Sequence, residues 1–135
     1  MLEAAAAALG NVLSGAHLVY MLVGVGVGLM VGVLPGLGGI AGMSILLPFV
    51  YGMDTVSALA LLIGLLAVTP TGDTFTSILM GIPGGAASQA TILDGFPMAK
   101  RGEAARALSA AFFSSMIGGL FGALVLTAAV QFARP

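Results

Sequence analysis

The stretch Ala58-Leu59-Ala60-Leu61-Leu62-Ile63-Gly64-Leu65-Leu66-Ala67-Val68 is apolar on every face. A strand of a membrane barrel alternates apolar and polar side chains with period two, and this run does not. Only helices and closed barrels satisfy their backbone inside lipid, so the run reads as part of a spanning helix. The spacing of charge extends that reading along the chain. Asp54 and Asp73 enclose 18 uncharged residues, Asp73 and Asp94 enclose 20, and Arg106 and Arg134 enclose 27. Crossing a hydrocarbon core about 30 Å thick takes roughly 20 helical residues. Upstream, no residue between Glu3 and Asp54 carries a firm charge.

Composition agrees. Of 135 residues, 59% are hydrophobic and 7% charged, and the mean hydropathy is +1.17. A soluble domain carries about a quarter of its residues as Asp, Glu, Lys and Arg. This chain can cover itself for lipid but not for water. The expected fold class is therefore an all-α, polytopic membrane bundle, formed as a single transmembrane unit over 1–135.

Several function classes fall away. With no cysteine there are no disulfides, thiolate metal sites or Cys nucleophiles. One histidine and five scattered carboxylates leave little for a metal centre, and none is expected. Four basic residues are too few for nucleic-acid binding. The start Met1-Leu2-Glu3 lacks the basic residues of a secretory signal. An intramembrane enzyme would need a nucleophile and base together, and His17 lies far from Asp73 in sequence. No catalytic residue and no cofactor is expected.

The pattern predicts spans over 17–34, 39–52, 55–69 and 107–130, with an interrupted segment over 71–93. Residues 3–15 read as a short interfacial helix, too short to cross. The one cluster of positive charge is Lys100, Arg101 and Arg106, so the loop 94–106 is expected in the cytoplasm. Within it, Asp94-Gly95 reads as a turn, and Pro97 as the first residue of a short helix ended by Gly102. Glu103 suits the first turn of the last helix.

Glycine supplies 21 residues. Gly24, Gly28, Gly32 and Gly36 recur every four positions, a smooth stripe that lets a second backbone approach closely. Gly118 and Gly122 repeat the device. Gly36-Leu37-Gly38-Gly39-Ile40-Ala41 also fits a loose dinucleotide fingerprint, but that reading needs a βαβ unit and membrane-like sequence surrounds it.

Two stretches look alike: Leu34-Pro35-Gly36-Leu37-Gly38-Gly39 and Ile82-Pro83-Gly84-Gly85-Ala86-Ala87. Proline removes a backbone donor and glycine loosens the chain, so both helices are expected to break there. Paired broken segments are the sequence pointer to a transporter's binding site, and simple kinks are the plainer alternative. Polar residues gather round the second break: Thr69, Thr71, Asp73, Thr74, Thr76, Ser77, Ser88, Gln89 and Thr91. Hydroxyls and free N–H groups at a helix start can hold a carboxylate without buried Arg or Lys. Hydroxyls also bond back to their own helices, which would make the same residues scaffold. Candidate substrate-binding residues are Pro35, Gly36, Gly38, Thr74, Thr76, Ser77, Pro83, Gly84, Gly85 and Ser88. Ala87 or Ser88 would open the half-helix after the break. Asp73 is the embedded carboxylate, costly at membrane depth, and is assigned to a coupling Na⁺ or proton. The alternative is an aspartate capping a helix near the interface.

These residues resemble the large permease subunit of tripartite tricarboxylate transporters. The likeness rests on Gly32-Val33-Leu34-Pro35-Gly36-Leu37-Gly38, on Gly72-Asp73-Thr74-Phe75-Thr76-Ser77-Ile78-Leu79, and on Ile82-Pro83-Gly84. It continues through Asp94-Gly95-Phe96-Pro97-Met98-Ala99-Lys100-Arg101-Gly102. Two positions depart from it: Gly85 stands where an acidic residue is usual, and Leu65-Leu66-Ala67-Val68-Thr69-Pro70 replaces a Tyr-rich run. The resemblance implies cation-coupled symport of small carboxylates across the bacterial inner membrane. It also implies a small membrane subunit and a periplasmic substrate-binding protein as partners, with this chain the N-terminal part of a longer two-repeat permease. The competing reading is a non-catalytic structural membrane subunit, which gives no reason for the polar cluster.

Overall fold

A computed structural model describes residues 6, 7 and 10–133 of the chain. Among these the fold is all-α: α1 Gly15–Val33, α2 Gly38–Val50, α3 Thr55–Met80, α4 Gln89–Lys100 and α5 Ala104–Ala133. Three of the helices, α1, α3 and α5, are long and apolar enough to cross a membrane. The expected interfacial helix over 3–15 falls in part outside the described residues, as does Arg134.

The centre of the molecule is the pair α1 and α3. A Cβ added at Gly28 would lie 2.5 Å from the Leu65 carbonyl oxygen, and one at Gly64 2.5 Å from that of Met21. Gly24 lies as closely on the Leu61 backbone, and Gly32 on Thr69 and Gly72. Residue numbers rise together on both sides, so the helices run parallel. No side chain fits between them, and the glycine stripe is a backbone-to-backbone seam.

α2 returns antiparallel along this pair, with Gly39 beside Thr69 and Gly42 against Val31 and Leu65. Its 13 residues reach roughly 20 Å at 1.5 Å per residue. The second predicted span is thus a half-length helix that does not cross alone.

α3 corrects the sequence reading in a second way. The sequence reading closes one span at 69 and opens the next segment at 71, yet α3 runs unbroken through Pro70 to Met80. Proline costs one backbone hydrogen bond, from its own position to the Leu66 carbonyl. The packed face holds the helix across that gap, with Gly72 on the Gly32 backbone and the Thr74 hydroxyl donating to the Pro70 carbonyl at 2.8 Å. At the start, Asp54 caps the helix by accepting the Ser57 N–H at 3.0 Å, which holds its carboxyl below the usual range. His17 Nδ1 lies 2.9 Å from the Ser57 hydroxyl and ties α1 to the same turn.

Gly81, at φ 68°, ends α3 in a left-handed turn. Residues 82–88 are not helical and fold back as far as Asp73, and α4 then runs alongside the end of α3 in the same direction. Gly95 rests on Ile78 and the Phe96 ring on Gly81. That packing overrides two local signals. Asp94-Gly95 lies inside α4 and is not a turn, and Pro97 also lies inside it instead of starting it. The expected stop at Gly102 holds, with φ 84°. Glu103 directly precedes α5 and its carbonyl accepts the Ala107 N–H.

α5 descends antiparallel to α3. Phe112 meets Phe75 with ring centroids 5.4 Å apart, and Ala107 is buried. Beyond that contact the helix is exposed to residue 130. Gly118 and Gly122 have nothing within 4 Å among the described residues. A stripe of small residues permits close approach but does not supply the partner.

Candidate functional site

Both Pro-Gly breaks open onto one cavity of about 580 Å³. The first break lines it with Gly36, Leu37 and Gly38, and α2 adds its first turn through Gly39 and Ile40. The second lines it with Pro83, Gly84, Gly85, Ala86 and Ala87, and α4 adds its first residue, Gln89. α3 forms the wall between them with Leu66, Thr69, Pro70 and Asp73. The two breaks touch: a Cβ at Gly38 would lie 3.4 Å from the Gly84 carbonyl oxygen. Gly36 and Gly38 sit at φ 83° and 58°, the left-handed region that lets the chain turn sharply from α1 into α2.

The direction of the helices gives the cavity its electrostatics. α2 runs away from it antiparallel to α3, and α4 runs away from it alongside the end of α3. Their N-termini therefore face each other across the space. The first N–H groups of a helix have no acceptor within it. Each N-terminus carries the equivalent of about half a positive charge. Two such ends give about one positive charge, without any Lys or Arg in the lining.

Asp73 balances them. It lies inside α3, seven residues before Met80, and is only 7% exposed. It does not cap a helix end, so that alternative is removed. Its Oδ1 accepts the Gly84 backbone N–H. A Cβ at Gly84 would collide with that carboxylate, and one at Gly85 would stand 3.2 Å from Oδ2. The two glycines are the space that lets the carboxylate lie against the tip.

Ser88 closes the tip into a compact turn. Its Oγ donates to the Gly85 carbonyl at 2.8 Å and lies 3.3 Å from the Gly85 N–H. It is the residue before α4, as expected of the half-helix start. Pro70 supplies a further polar group, because a proline there leaves the Leu66 carbonyl without its helical donor. Both residues line the cavity.

Of the predicted site residues, Gly36, Gly38, Asp73, Pro83, Gly84 and Gly85 meet at the cavity. Pro35, Thr74, Thr76, Ser77 and Ser88 are not in its lining. The hydroxyls of Thr74 and Thr76 donate to the carbonyls of Pro70 and Asp73 in their own helix. Ser77 is fully buried, and its Oγ has no partner among the described residues. Thr74 lines a separate groove of about 410 Å³ between α3, α4 and α5. The residues absent from the predicted set are mainly apolar or backbone contributors: Leu37, Gly39, Ile40, Leu66, Ala86 and Ala87. A search for polar side chains passes over them. Leu37, Gly39, Ile40, Ala86 and Ala87 all lie at or just before a helix start that follows a Pro-Gly break, whereas Leu66 lies within α3 and carries no such signal.

Comparison with known proteins joins this geometry to a family. The family model described as tripartite tricarboxylate transporter TctA family matches residues 18–134. A curated protein of Agrobacterium vitis, described as an uncharacterized 52.8 kDa protein in the TAR-I ttuC' 3' region, is 37% identical over 117 residues. That alignment covers 87% of this chain and 23% of the relative, so the chain spans about a quarter of the relative's length. No solved structure matches the chain. The match runs from the first turn of α1 to the end of α5 and takes in both breaks, Asp73 and the cavity between them: the chain belongs to the tripartite tricarboxylate transporter TctA family.

Proposed function

We propose that this chain carries the substrate site of a permease for small, tricarboxylate-like anions, with the anion held in the cavity between the N-termini of α2 and α4. The observation that carries the reading is the pair of helix starts facing each other over one space of about 580 Å³. Discontinuous helices with N-termini aimed at an anion are how transporters bind carboxylates at membrane depth. The membership in a transporter family supports transport over catalysis. A purely structural subunit would have no use for such a cavity.

The charge balance supports cation coupling. Two helix ends amount to about one positive charge, and Asp73 offsets it. An incoming anion therefore leaves the site negative unless a cation comes with it. Asp73 is the residue to which we assign the coupling Na⁺ or proton, with the Leu66 carbonyl as a neighbouring dipole. In this reading the permease works in the bacterial inner membrane with a small membrane subunit and a periplasmic binding protein. The turn carrying Lys100 and Arg101 then faces the cytoplasm, and the chain is one part of a longer two-repeat protein.

The test is to fill the cavity without touching its charges. In the full-length permease, Ala87→Leu should lower uptake of radiolabelled citrate more than about tenfold while protein yield in the membrane is unchanged. Bulk that displaces a bound group by about 1 Å can cost on the order of a hundredfold. Normal citrate uptake by this variant would refute the site.

A further inference from the structure

The contact between Asp73 and Gly84 has a consequence beyond coupling. The N–H groups at the second break are the groups that the proposed site offers to an anion. One of them, on Gly84, is already taken by a carboxylate of the protein itself. The approach is built in: Gly84 and Gly85 lack the Cβ atoms that would block Asp73, and Asp73 sits 7% exposed on the wall that faces them. The turn of the tip is closed by Ser88 on Gly85, and a Cβ at Gly38 would lie 3.4 Å from the Gly84 carbonyl oxygen. Among the described residues, the Asp73 carboxylate makes the hydrogen bond that joins the tip to α3.

We propose that Asp73 is an internal stand-in for the substrate: its carboxylate occupies the Gly84 amide in the empty site, and an anionic substrate binds by displacing it. The inference rests on the anion site proposed above. It assigns Asp73 a specific sign of effect. A carboxylate that competes for the same donor and repels the incoming charge opposes substrate binding. A cation on Asp73 relieves both effects, so substrate and cation bind together although they contact different groups. A residue that merely held a cation under the substrate would act the other way, and its loss would weaken binding.

The experiment measures radiolabelled citrate binding to the full-length permease in lipid nanodiscs, with sodium replaced by choline at neutral pH. Asp73→Asn should tighten citrate binding about tenfold or more, because the amide competes more weakly for the Gly84 donor and carries no charge. Sodium should then add little to the variant while strengthening binding to the parent protein. Without any ligand, Asp73→Ala should speed hydrogen exchange of the Gly84 amide about tenfold or more, since its acceptor is gone. Weaker citrate binding by Asp73→Asn would overturn the proposal, and so would unchanged exchange in Asp73→Ala. If the parent protein itself shows no saturable citrate binding with sodium present, the anion site fails and the stand-in falls with it. Citrate binding in the parent with no gain in the variant sinks the stand-in alone.

Discussion

The α1–α3 seam and the paired breaks are both written in glycine, and they use it in opposite ways. Along the seam, Gly24, Gly28, Gly32, Gly64 and Gly72 remove side chains so that two backbones meet and leave no space. At the breaks, Gly36, Gly38, Gly84 and Gly85 let the backbone turn or admit Asp73, and a cavity of about 580 Å³ remains. The first arrangement yields a close-packed wall whose backbone polar groups pair within the helices, apart from the Leu66 carbonyl opposite Pro70. The second yields N–H groups at the helix starts, set beside a cavity that this wall lines. A functional site at membrane depth needs both: irregular backbone is tolerated only where it lines a cavity within protein.

The largest expected effect lies on the seam. Gly28→Leu would drive a side chain into the Leu65 backbone, which cannot shift as a flexible side chain can. It should cost about 3 kcal/mol or more and be read as lost thermal stability in detergent. Gly118→Leu, the same change on the open part of α5, should stay within about 0.5 kcal/mol. Equal effects would erase the distinction between engaged and unengaged glycine stripes. Filling the cavity through Ala87→Leu comes next, acting on uptake and not on stability. The smallest effect belongs to Thr76→Val. Its hydroxyl bonds within its own helix, so citrate uptake should stay within about threefold of the parent, consistent with losing about 0.5 kcal/mol. A larger loss of uptake would put that hydroxyl back into the substrate site.

How far the residues alone reach differs between the same two regions. The four-residue glycine repeat in α1 points directly to the seam, because its spacing is a property of one helix face. The two Pro-Gly stretches likewise mark both breaks, and Asp73 stands out as the one carboxylate between Thr55 and Leu93. Pro70 misleads, because only tertiary packing on Gly32 shows that the helix survives it. Asp94-Gly95 misleads for the same reason, since the burial of Gly95 on Ile78 outweighs its turn preference. Three of the nine polar residues round the second break, Thr69, Thr74 and Thr76, turn out to bond within their own helix, a choice between local partners that residue type does not decide. The lining residues Ile40, Leu66 and Ala86 carry no polar side chain, so nothing in their identity marks them.

The proposed seat of the anion is the space between the starts of α2 and α4. It is tested most directly by determining the structure of the full-length permease with citrate and sodium bound. A citrate carboxylate is expected within hydrogen-bond distance of N–H groups in 38–40 and 84–89, about 3 Å away, with Asp73 released from Gly84. Citrate bound against Lys100 and Arg101, or Asp73 still on Gly84 beside an occupied site, would contradict it.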